Sequence, residues 1–400
     1  MINVAILGFG VVGGGVAKLL CDNERETSSL GGDKINIKYI LDLRDFPDSP
    51  FADKVIHNYD IIVNDPEVSV IIEVMGGSHP AYEFTVAALR RGKHVITSNK
   101  EVVSKFGDEF LALAKEHGVS YRFEAAVGGG IPVISPTINC VCQNKVSEIR
   151  GILNGTTNYI LTKMFTFGEN FESALGDAQK KGYAEANPDA DILGIDAARK
   201  ISILTALISG KLISPDDIHT EGITAIRKED VKAAEKLSAT IKLVGRGIVT
   251  ESGRPMALVA PFIVKNGTPL SGVNDVYNAV EIIADPLGNV MFYGRGAGAG
   301  ATASAVVGDL MQVMRMGIHC NAPEFVKYND AVSFDEFVSE HYIACDKAYA
   351  KALGEAFPGA KMYEADGEVY AVTEAMKESS VAELIAKSDL KVNSRIRILA

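Results

Sequence analysis

The chain has 400 residues, enough for two or three domains, and 47% of them are hydrophobic, so each domain can have a sizeable core. Its formal net charge of −11 at pH 7 leaves no basic excess to neutralise phosphates. This excludes nucleic acid and anionic membrane surfaces as main partners, and we expect a globular protein that acts on small molecules.

The amino terminus enters a strand pattern directly, without the basic segment and cleavable apolar run of a secretory signal, and no run of about eighteen apolar residues could span a membrane. The cysteines form no C-x-x-C pair, and their odd number favours reduced thiols. The histidines are scattered without the spacing of a zinc site. We therefore expect a cytoplasmic protein without a transition-metal site. The cysteines are Cys21, Cys140, Cys142, Cys320 and Cys345.

Residues 2–7 form a short apolar run, which a glycine-rich segment and then a helical pattern follow. The segment matches G-x-G-x-x-G between a strand and a helix, a pattern that binds dinucleotides. In it, Gly8 permits the tight turn, Gly10 lets the backbone approach a pyrophosphate, and Gly13 lets the helix pack on the strand. A glycine-rich turn without a ligand is the alternative. The predicted cofactor-binding residues here are Gly8, Phe9, Gly10, Val11, Val12 and Gly13.

The end of the next predicted strand, at residues 35–41, bears on which cofactor is used. Asp42 lies where a carboxylate would accept hydrogen bonds from the ribose hydroxyls of NAD. Arg44 could instead meet the 2′-phosphate of NADP. Alternatively, Asp42 only begins the turn and Arg44 is a solvated charge. Since a carboxylate beneath the ribose repels a phosphate, we expect NAD to be used at least as well as NADP.

Two later strand ends also carry candidate residues. A strand over residues 70–74 leads into a glycine-rich loop that contains Gly76, and a strand over residues 94–97 is followed by Lys100. Ligands gather at the carboxyl ends of parallel strands, so both residues are candidates for the cofactor and active site. The alternative for Lys100 is a surface lysine that starts a helix. We expect these units to form a dinucleotide-binding domain over residues 1–130.

A glycine-rich segment that begins with Glu124 leads out of this domain. Its three consecutive glycines expose backbone carbonyls. Beside the carboxylate, these carbonyls could supply the all-oxygen shell of a hard monovalent cation. From residue types alone, a flexible junction is the interpretation we favour.

Residues 182–200 begin as a loop and end as a helix. From Ile195 onward the helix has almost no wholly polar side, which indicates that it is buried. Asp196 and Lys200 are four residues apart on its apolar face, where an ordinary solvated ion pair is the alternative. A lysine shielded from water can have a pKa near the working pH, as a proton donor to an alkoxide requires. Glu185, in the preceding loop, is a candidate for holding a cationic group of a substrate.

The remaining sequence predicts two further parts. Residues 131–300 favour a substrate-binding and dimerisation domain on a largely antiparallel sheet, and a glycine-rich loop opens a helix at about 300–320 that returns to the first domain. Residues 337–400 follow the order βαββαβ of a ferredoxin-like unit. We therefore predict an α/β protein with a Rossmann-type doubly wound sheet, an α+β catalytic and dimerisation domain, and a small βαββαβ unit at the carboxyl end.

With these motifs together, the chain resembles the homoserine dehydrogenase family over about residues 1–320. The resemblance implies reversible, NAD(P)-dependent interconversion of L-aspartate 4-semialdehyde and L-homoserine, a step toward threonine, isoleucine and methionine. It also implies a homodimer or homotetramer. The segments that carry it are residues 8–13, 97–100, 124–134, 151–159, 182–200 and 294–304.

The resemblance also implies roles for individual residues. Lys200 is implied to donate a proton to the carbonyl oxygen, with Lys100 as a second amine beside it. Asp196 and Glu185 are implied to bind the substrate. The resemblance further implies that the segment after Glu124 binds a structural sodium ion and is not only a flexible junction, with backbone carbonyls as three of the four ligands. The implied sodium ligands are Glu124, Val127, Gly129 and Ile131, and the residues placed against the cofactor include Gly182 and Gly296.

Two features depart from the family pattern. Members often carry a basic residue at the end of the second strand, where this chain has Asp42. The carboxyl-terminal unit resembles an ACT domain, but Asp346-Lys347-Ala348 stands where a Pro-Gly would precede its first helix. Whether this unit binds threonine or another effector is left open by the sequence.

Two other functions fit part of the sequence. A phosphorylating semialdehyde dehydrogenase would need a cysteine nucleophile, and Cys140 and Cys142 have no histidine beside them in sequence. A non-catalytic NAD sensor would keep the dinucleotide-binding domain only as a switch. The intact pair of Asp196 and Lys200 argues against a sensor.

Overall fold

The computed structural model describes residues 1–316, 322–365 and 367–399, so Cys320, the last positions of the helix predicted at 300–320, and positions 366 and 400 lie outside the described residues. The strands are β1 (Ile2–Leu7), β2 (Ile35–Leu41), β3 (Val55–Ile56), β4 (Val68–Glu73), β5 (His94–Thr97), β6 (Tyr121–Arg122), β7 (Lys145–Ile152), β8 (Lys211–Leu212), β9 (His219–Thr220), β10 (Ala239–Val249), β11 (Pro255–Lys265), β12 (Tyr277–Asp285), β13 (Gly288–Arg295), β14 (Val326–Lys327), β15 (Val338–Asp346), β16 (Lys361–Ala365), β17 (Glu368–Val372), β18 (Met376–Lys377) and β19 (Val392–Leu399). The helices are α1 (Val11–Asp22), α2 (Glu24–Gly31), α3 (Tyr59–Asn64), α4 (Ala81–Arg90), α5 (Lys100–Glu116), α6 (Ile134–Pro136), α7 (Gly155–Phe167), α8 (Phe171–Lys180), α9 (Asp189–Ile192), α10 (Ile195–Ser209), α11 (Lys228–Lys236), α12 (Ala299–Met316), α13 (Ala350–Ala356) and α14 (Glu378–Lys387).

These elements divide into two compact units, each built from separate stretches of the chain. Counting the described residues only, the first unit comprises those of 1–147, 202–216 and 282–329, and the second comprises those of 148–201, 217–281 and 330–400. The domain boundaries predicted from the sequence stay predictions. In the described parts of both units, every helix is too short or too polar to cross a membrane.

The first unit contains a parallel sheet of six strands in the order β3-β2-β1-β4-β5-β6. Its inner strands are apolar because helices cover both faces of such a sheet. The order of strands reverses between β1 and β4, and ligands of doubly wound sheets bind outside the carboxyl ends of the strands at that point. The sheet confirms the predicted Rossmann-type fold.

Helices α1 and α12 pack on this sheet beside β1. Val4 of β1, Val16 of α1 and Leu310 of α12 belong to one buried cluster, although α12 comes from far along the chain. The two helices approach closely because Gly15 has no side chain: a Cβ there would lie 3.1 Å from the carbonyl oxygen of Ala299. Packing by α12 thus completes the core beneath the glycine-rich loop of β1.

The second unit is built on a mixed sheet that includes strands in the order β12-β7-β10-β11-β19-β15-β17-β16. Strands β10 and β11 pair antiparallel from Ala239 opposite Lys265 to Val249 opposite Pro255. Helix α10 lies close to β10, since a Cβ at Gly245 would be 3.2 Å from the Cβ of Ile201. This close approach brings the buried helix predicted from residue 195 against the end of β7 and the middle of β10.

One strand begins later than the sequence predicts. The predicted strand over residues 273–283 starts only at Tyr277. The buried amide of Asn158 donates to the carbonyl oxygens of Val273, Asp275 and Tyr277 at 3.2, 3.0 and 3.0 Å. These hydrogen bonds hold the segment before Tyr277 in an irregular course, in which Asp275 has a φ of +59°.

The carboxyl-terminal segment has the predicted order βαββαβ, with the short β18 added before its second helix. Its strands lie in the order β19-β15-β17-β16, and β15 pairs antiparallel with both β17 and β19. Strand β19 also pairs parallel with β11, so this segment continues the sheet of the second unit. Arg397 is 1% exposed on β19 and donates to Glu378 at 2.6 and 3.0 Å and to Glu221 at 2.7 Å, which compensates its buried charge.

Candidate active site

The glycine-rich loop after β1 has the geometry that the G-x-G-x-x-G pattern predicts. Gly8 has a φ of +94°, a conformation that a residue with a side chain rarely adopts. A Cβ on Gly13 would lie 2.0 Å from the carbonyl oxygen of Gly8, so only glycine fits where α1 leaves the strand. No atom of the described residues lies within 4 Å of a Cβ built on Gly10, which leaves that side of the loop open. Helix α1 begins at Val11 without a side-chain cap, so its first N–H groups can face an anion.

Asp42 and Arg44, which the sequence offers as alternatives, are in contact with each other. The Asp42 carboxylate accepts a hydrogen bond from the backbone N–H of Phe9 at 2.8 Å and from the Arg44 guanidinium at 3.0 and 3.2 Å. Hydrogen bonding to Arg44 lowers the pKa of Asp42 to about 2, and burial opposes this shift only in part. Asp42 is therefore an anion held against the glycine-rich loop, whereas Arg44 remains 64% exposed.

The loops after β4 and β5 carry the next two candidates. Gly76 lies exposed in the loop after β4, two residues before Ser78, whose hydroxyl donates to Glu101 at 2.6 Å. Lys100 is the first residue of α5, and it is half-buried. Asn99 caps this helix by accepting hydrogen bonds from Glu101 and Val102. The structure thus places Gly76 and Lys100 at neighbouring strand ends of one sheet, as the sequence predicts.

Glu124 lies buried after β6 and holds the following segment. Its Oε1 accepts hydrogen bonds from the backbone N–H groups of Val133 and Ile134 at 2.6 and 2.7 Å, and its Oε2 accepts from Ser135 at 2.7 Å. Burial raises the pKa of Glu124, and these three hydrogen bonds oppose the rise. Asp309 of α12 accepts from the N–H of Glu124 at 2.9 Å. These buried contacts tie down a segment that residue types alone suggested to be a flexible junction.

The backbone carbonyls implied as sodium ligands lie in the turn between Glu124 and α6. Gly129 has a φ of +58°, and a Cβ there would lie 2.3 Å from the carbonyl oxygen of Gly296. Among the described residues, no hydrogen bond is found to the carbonyl oxygens of Val127, Gly129 or Ile131. Gly296, predicted to face the cofactor, is thus placed against this turn.

In the second unit, Lys200 and Asp196 form the buried pair that their spacing on α10 predicts. The Lys200 ammonium donates to Asp196 Oδ2 at 2.7 Å and to the backbone carbonyl of Leu153 at 2.7 Å. Their side chains are only 9% and 5% exposed, so this is not the solvated ion pair of an exposed helix. Leu153 directly follows β7, which means that the end of a central strand sets the position of the ammonium.

Asn154 and Asp191 complete this cluster, and the sequence did not single them out. The Asn154 amide donates to Asp191 Oδ1 at 2.7 Å and to Asp196 Oδ2 at 2.9 Å. Its Oδ1 caps α7 by accepting from the N–H of Thr157 at 2.9 Å. The Asn-Gly-Thr-Thr order is a recognisable helix cap, but the two acidic partners lie far along the chain and give no local signal.

Gly182 and Glu185 lie in the loop that follows α8. Gly182 has a φ of +73° and ends the helix. Thr156 of α7 donates to the carbonyl of Tyr183 at 2.7 Å, which ties this loop to the helix that Asn154 caps. The side chain of Glu185 is exposed. The structure therefore brings Asp191, Asp196 and Lys200 together, while Glu185 lies on the adjacent exposed loop.

Comparisons with known proteins identify what this arrangement resembles. The homoserine dehydrogenase family model matches residues 132–311, and the model of the homoserine dehydrogenase NAD binding domain matches residues 8–124. A homoserine dehydrogenase from Synechocystis is 41% identical over 318 residues, which cover 78% of this chain and 73% of that protein.

Solved structures give the same result. The crystal structure of a homoserine dehydrogenase from Thiobacillus denitrificans superposes with a TM-score of 0.90 at 32% identity and covers 100% of this chain and 98% of that one. A hyperthermophilic archaeal homoserine dehydrogenase in complex with NADPH superposes with a TM-score of 0.67 at 27% identity, covering 78% of this chain and 97% of that one.

Substitutions at two adjacent glycines test the geometry of the glycine-rich loop, with Gly13 as the test position and Gly14 as its matched control. Gly13→Ala should weaken NADH and NADPH binding at least about tenfold, because its Cβ would displace the Gly8 carbonyl and close the turn on the pyrophosphate. In Gly14→Ala, in the same helix, the added Cβ would meet no atom of the described part of the chain within 4 Å, so the affinity should change less than about twofold. Fluorescence titration of each variant measures this, and equal affinities in the two variants would contradict it.

Proposed function

Since the chain belongs to the homoserine dehydrogenase family, we propose how its own residues carry out the reversible, NAD(P)-dependent interconversion of L-aspartate 4-semialdehyde and L-homoserine. The observation that supports the proposal is the buried cluster of Lys200, Asp196, Asn154 and Asp191. This cluster combines one ammonium with two carboxylates at the end of a central strand. It therefore offers both a proton donor and acceptors for the amino group of the substrate.

Lys200 is the proton donor in this proposal. When bound, the nicotinamide cofactor supplies hydride to the aldehyde carbon. Negative charge then builds on the aldehyde oxygen, and the Lys200 ammonium stabilises that charge and transfers a proton to it. In the opposite direction the neutral amine accepts the hydroxyl proton of homoserine. Asp196 and the Leu153 carbonyl keep the amine in one position through both half-reactions.

The carboxylates are assigned to the substrate amino group. Asp191 is half-buried and shares the Asn154 amide with Asp196, so one neutral side chain fixes the spacing of two anions. Two carboxylates that accept hydrogen bonds from the same amide group repel each other, and a bound ammonium would relieve the repulsion. Glu185, on the exposed loop, is assigned to the same group from the side of the solvent. From the family resemblance we also assign Lys100 as a second amine of the reaction.

Replacement of Lys200 tests the role of the proton donor. Lys200→Met should lower kcat at least about a hundredfold, the low end for loss of a general acid, while the affinity for NADPH is preserved. Lys242→Met is the matched control, because Lys242 is a second buried lysine of the same unit whose ammonium donates to Val273 and Asn274 at 2.6 and 2.9 Å. Steady-state rates at equal folded fraction measure the effect. An equal loss of NADPH affinity in Lys200→Met would show that the residue is structural.

Asp42 and Arg44 together determine the cofactor in this proposal. The Phe9 N–H anchors the Asp42 carboxylate at the position we assign to the ribose, whereas the exposed Arg44 can turn away. Ribose hydroxyls can then take the place of the guanidinium on Asp42. A 2′-phosphate would meet the anion as well as the arginine. We therefore infer that NAD is used at least as well as NADP, although an archaeal relative has been solved with NADPH.

The substitution Asp42→Asn, which replaces one carboxylate oxygen with an amide nitrogen, tests this assignment. Asp42→Asn keeps an oxygen that can accept from Phe9 and removes the charge, so it should raise the ratio of kcat/KM for NADP to that for NAD at least about tenfold. Arg44→Met should lower the same ratio, because the 2′-phosphate loses its cationic partner. Initial rates of homoserine oxidation with each cofactor give both ratios. An unchanged ratio in Asp42→Asn would remove Asp42 from cofactor selection.

We also propose the sodium site that the family resemblance implies. The three carbonyl oxygens of Val127, Gly129 and Ile131 without a hydrogen bond among the described residues have the hard-oxygen chemistry that an alkali cation prefers. Glu124 and Asp309 are buried nearby, and burial raises the pKa of Glu124 and raises that of Asp309 to about 7, so a bound cation would favour their ionised forms. Bound there, sodium would supply positive charge beside these two acids, in addition to that of Arg122, which lies 3.9 Å from Asp309.

Removal of sodium tests the site directly. Raising NaCl at constant ionic strength, with choline chloride as the replacement salt, should raise the melting temperature, since a ligand that binds only the folded state stabilises it. At a hundred times the dissociation constant the stabilisation is about 2.7 kcal/mol. Differential scanning calorimetry measures the shift. Identical melting temperatures in the two salts would contradict a sodium site.

The homodimer or homotetramer, and any effector of the carboxyl-terminal unit, stay predictions.

A further inference from the structure

The loops after β4 and β5 are joined by side chains that are fully buried. Glu73 and Thr97 are the last residues of these strands, lie opposite each other in the sheet, and are both 0% exposed. The Thr97 hydroxyl donates to Glu73 Oε2 at 2.6 Å. Glu73 Oε1 accepts from the backbone N–H of Met75 at 2.8 Å. One carboxylate therefore holds the start of the first loop and the end of the neighbouring strand.

Asn99 closes this set of hydrogen bonds into a ring. Its backbone N–H donates to the Thr97 hydroxyl at 2.9 Å, and its side-chain amide donates to the carbonyl of Gly77 at 2.7 Å. Its side-chain oxygen caps α5, which begins at Lys100. The ring therefore links the glycine-rich loop after β4 to the first turn of the helix that carries Lys100.

We propose that Thr97 is a positioning residue for Lys100, which acts by locking the loops after β4 and β5 into one arrangement through Glu73 and Asn99. This inference rests on the role proposed above for Lys100. It extends that proposal, because Thr97 is itself buried and acts only through its neighbours. The function of the ring is to fix where α5 begins.

A hydroxyl is required at the centre of this ring because it donates and accepts at once. Thr97 donates to the carboxylate and accepts from the Asn99 N–H, so an isosteric valine would leave both groups without this partner. The ionised form of Glu73 is the one that accepts from both Thr97 and Met75. Burial raises the pKa of Glu73 to about 7, and the hydrogen bonds from Thr97 and Met75 oppose that rise. Loss of the hydroxyl would remove a hydrogen bond that stabilises the ionised form of Glu73, and this is the form that holds the loop.

A small movement of α5 is sufficient to affect the reaction. A misplacement of about 1 Å in a catalytic group can lower the rate about a hundredfold. Because Asn99 and Lys100 are adjacent, a change in the Asn99 backbone moves the start of the helix directly. Of the predicted cofactor-binding residues, Gly76 lies in the loop that the ring holds, whereas among the described residues no hydrogen bond links Glu73, Thr97 or Asn99 to the loop of Gly8 to Gly13, where the sequence predicts the pyrophosphate. The expected effect therefore falls on turnover more than on cofactor affinity.

Three threonine variants test the inference. Thr97→Val should lower kcat at least about tenfold, while the affinity for NADPH changes less than about threefold. Thr97→Ser keeps the hydroxyl and should remain close to the unsubstituted enzyme. Thr85→Val is the matched control: Thr85 is 1% exposed on α4 of the same unit, and its hydroxyl has no hydrogen-bond partner among the described residues. If Thr97→Val and Thr85→Val had the same kcat, the inference would be wrong.

A double-mutant cycle with Lys100→Met shows whether Thr97 acts through Lys100. If it does, Thr97→Val should slow the enzyme when Lys100 is present and have little further effect in Lys100→Met. An equal slowing in both backgrounds would overturn the inference, because Thr97 would then act through another group. A normal rate in Lys100→Met alone would refute the proposed role of Lys100, and it would be seen without any change at Thr97. The two failures are therefore distinguishable.

Discussion

The burial of the Lys200 ammonium is the constraint on which the second unit depends. A charged amine at 9% exposure is stable only if oxygen atoms surround it at hydrogen-bond distance. Asp196 supplies one of these oxygens from the same helix, but the carbonyl of Leu153 must be brought from the end of β7. Helix α10 therefore has to lie close to the sheet, and Gly245 on β10 makes room for it.

In the first unit, buried or partly buried carboxylates hold loops in place by accepting hydrogen bonds from backbone N–H groups. Asp42 accepts from Phe9, Glu73 accepts from Met75, and Glu124 accepts from Val133, Ile134 and Ser135. Each carboxylate lies next to a glycine-rich segment or directly before one. Glycine allows these loops their close approaches but does not restrain them, so an anionic acceptor supplies the restraint. The same acids place negative charge beside the regions where a cofactor or a cation is proposed.

The carboxyl-terminal segment is bound to the sheet of the second unit by a different kind of contact. Arg397 on β19 reaches both Glu378 of α14 and Glu221 after β9, and Ile223 in the same loop donates to the carbonyl of Ile192 at 2.9 Å. Two hydrogen bonds, joined by the backbone from Glu221 to Ile223, thus connect this segment to the end of α9, directly before α10. The segment therefore belongs to the same compact unit and the same sheet as the strands around Lys200.

Local patterns in the sequence determined the elements that depend on near neighbours. The glycines of the first loop, the buried character of α10 with its i, i+4 pair, and the order βαββαβ could all be predicted, because spacing along the chain encodes a turn, a helix face or a succession of elements. Only the tertiary structure decided which distant groups complete each site. Asn154 donates to Asp191 and Asp196, and Thr97 donates to Glu73. These partners are far apart in the sequence, and their spacing follows neither the helix nor the strand repeat. Hydrogen bonds of this kind form only after strands and helices have packed, so their partners are set by the fold and not by local spacing.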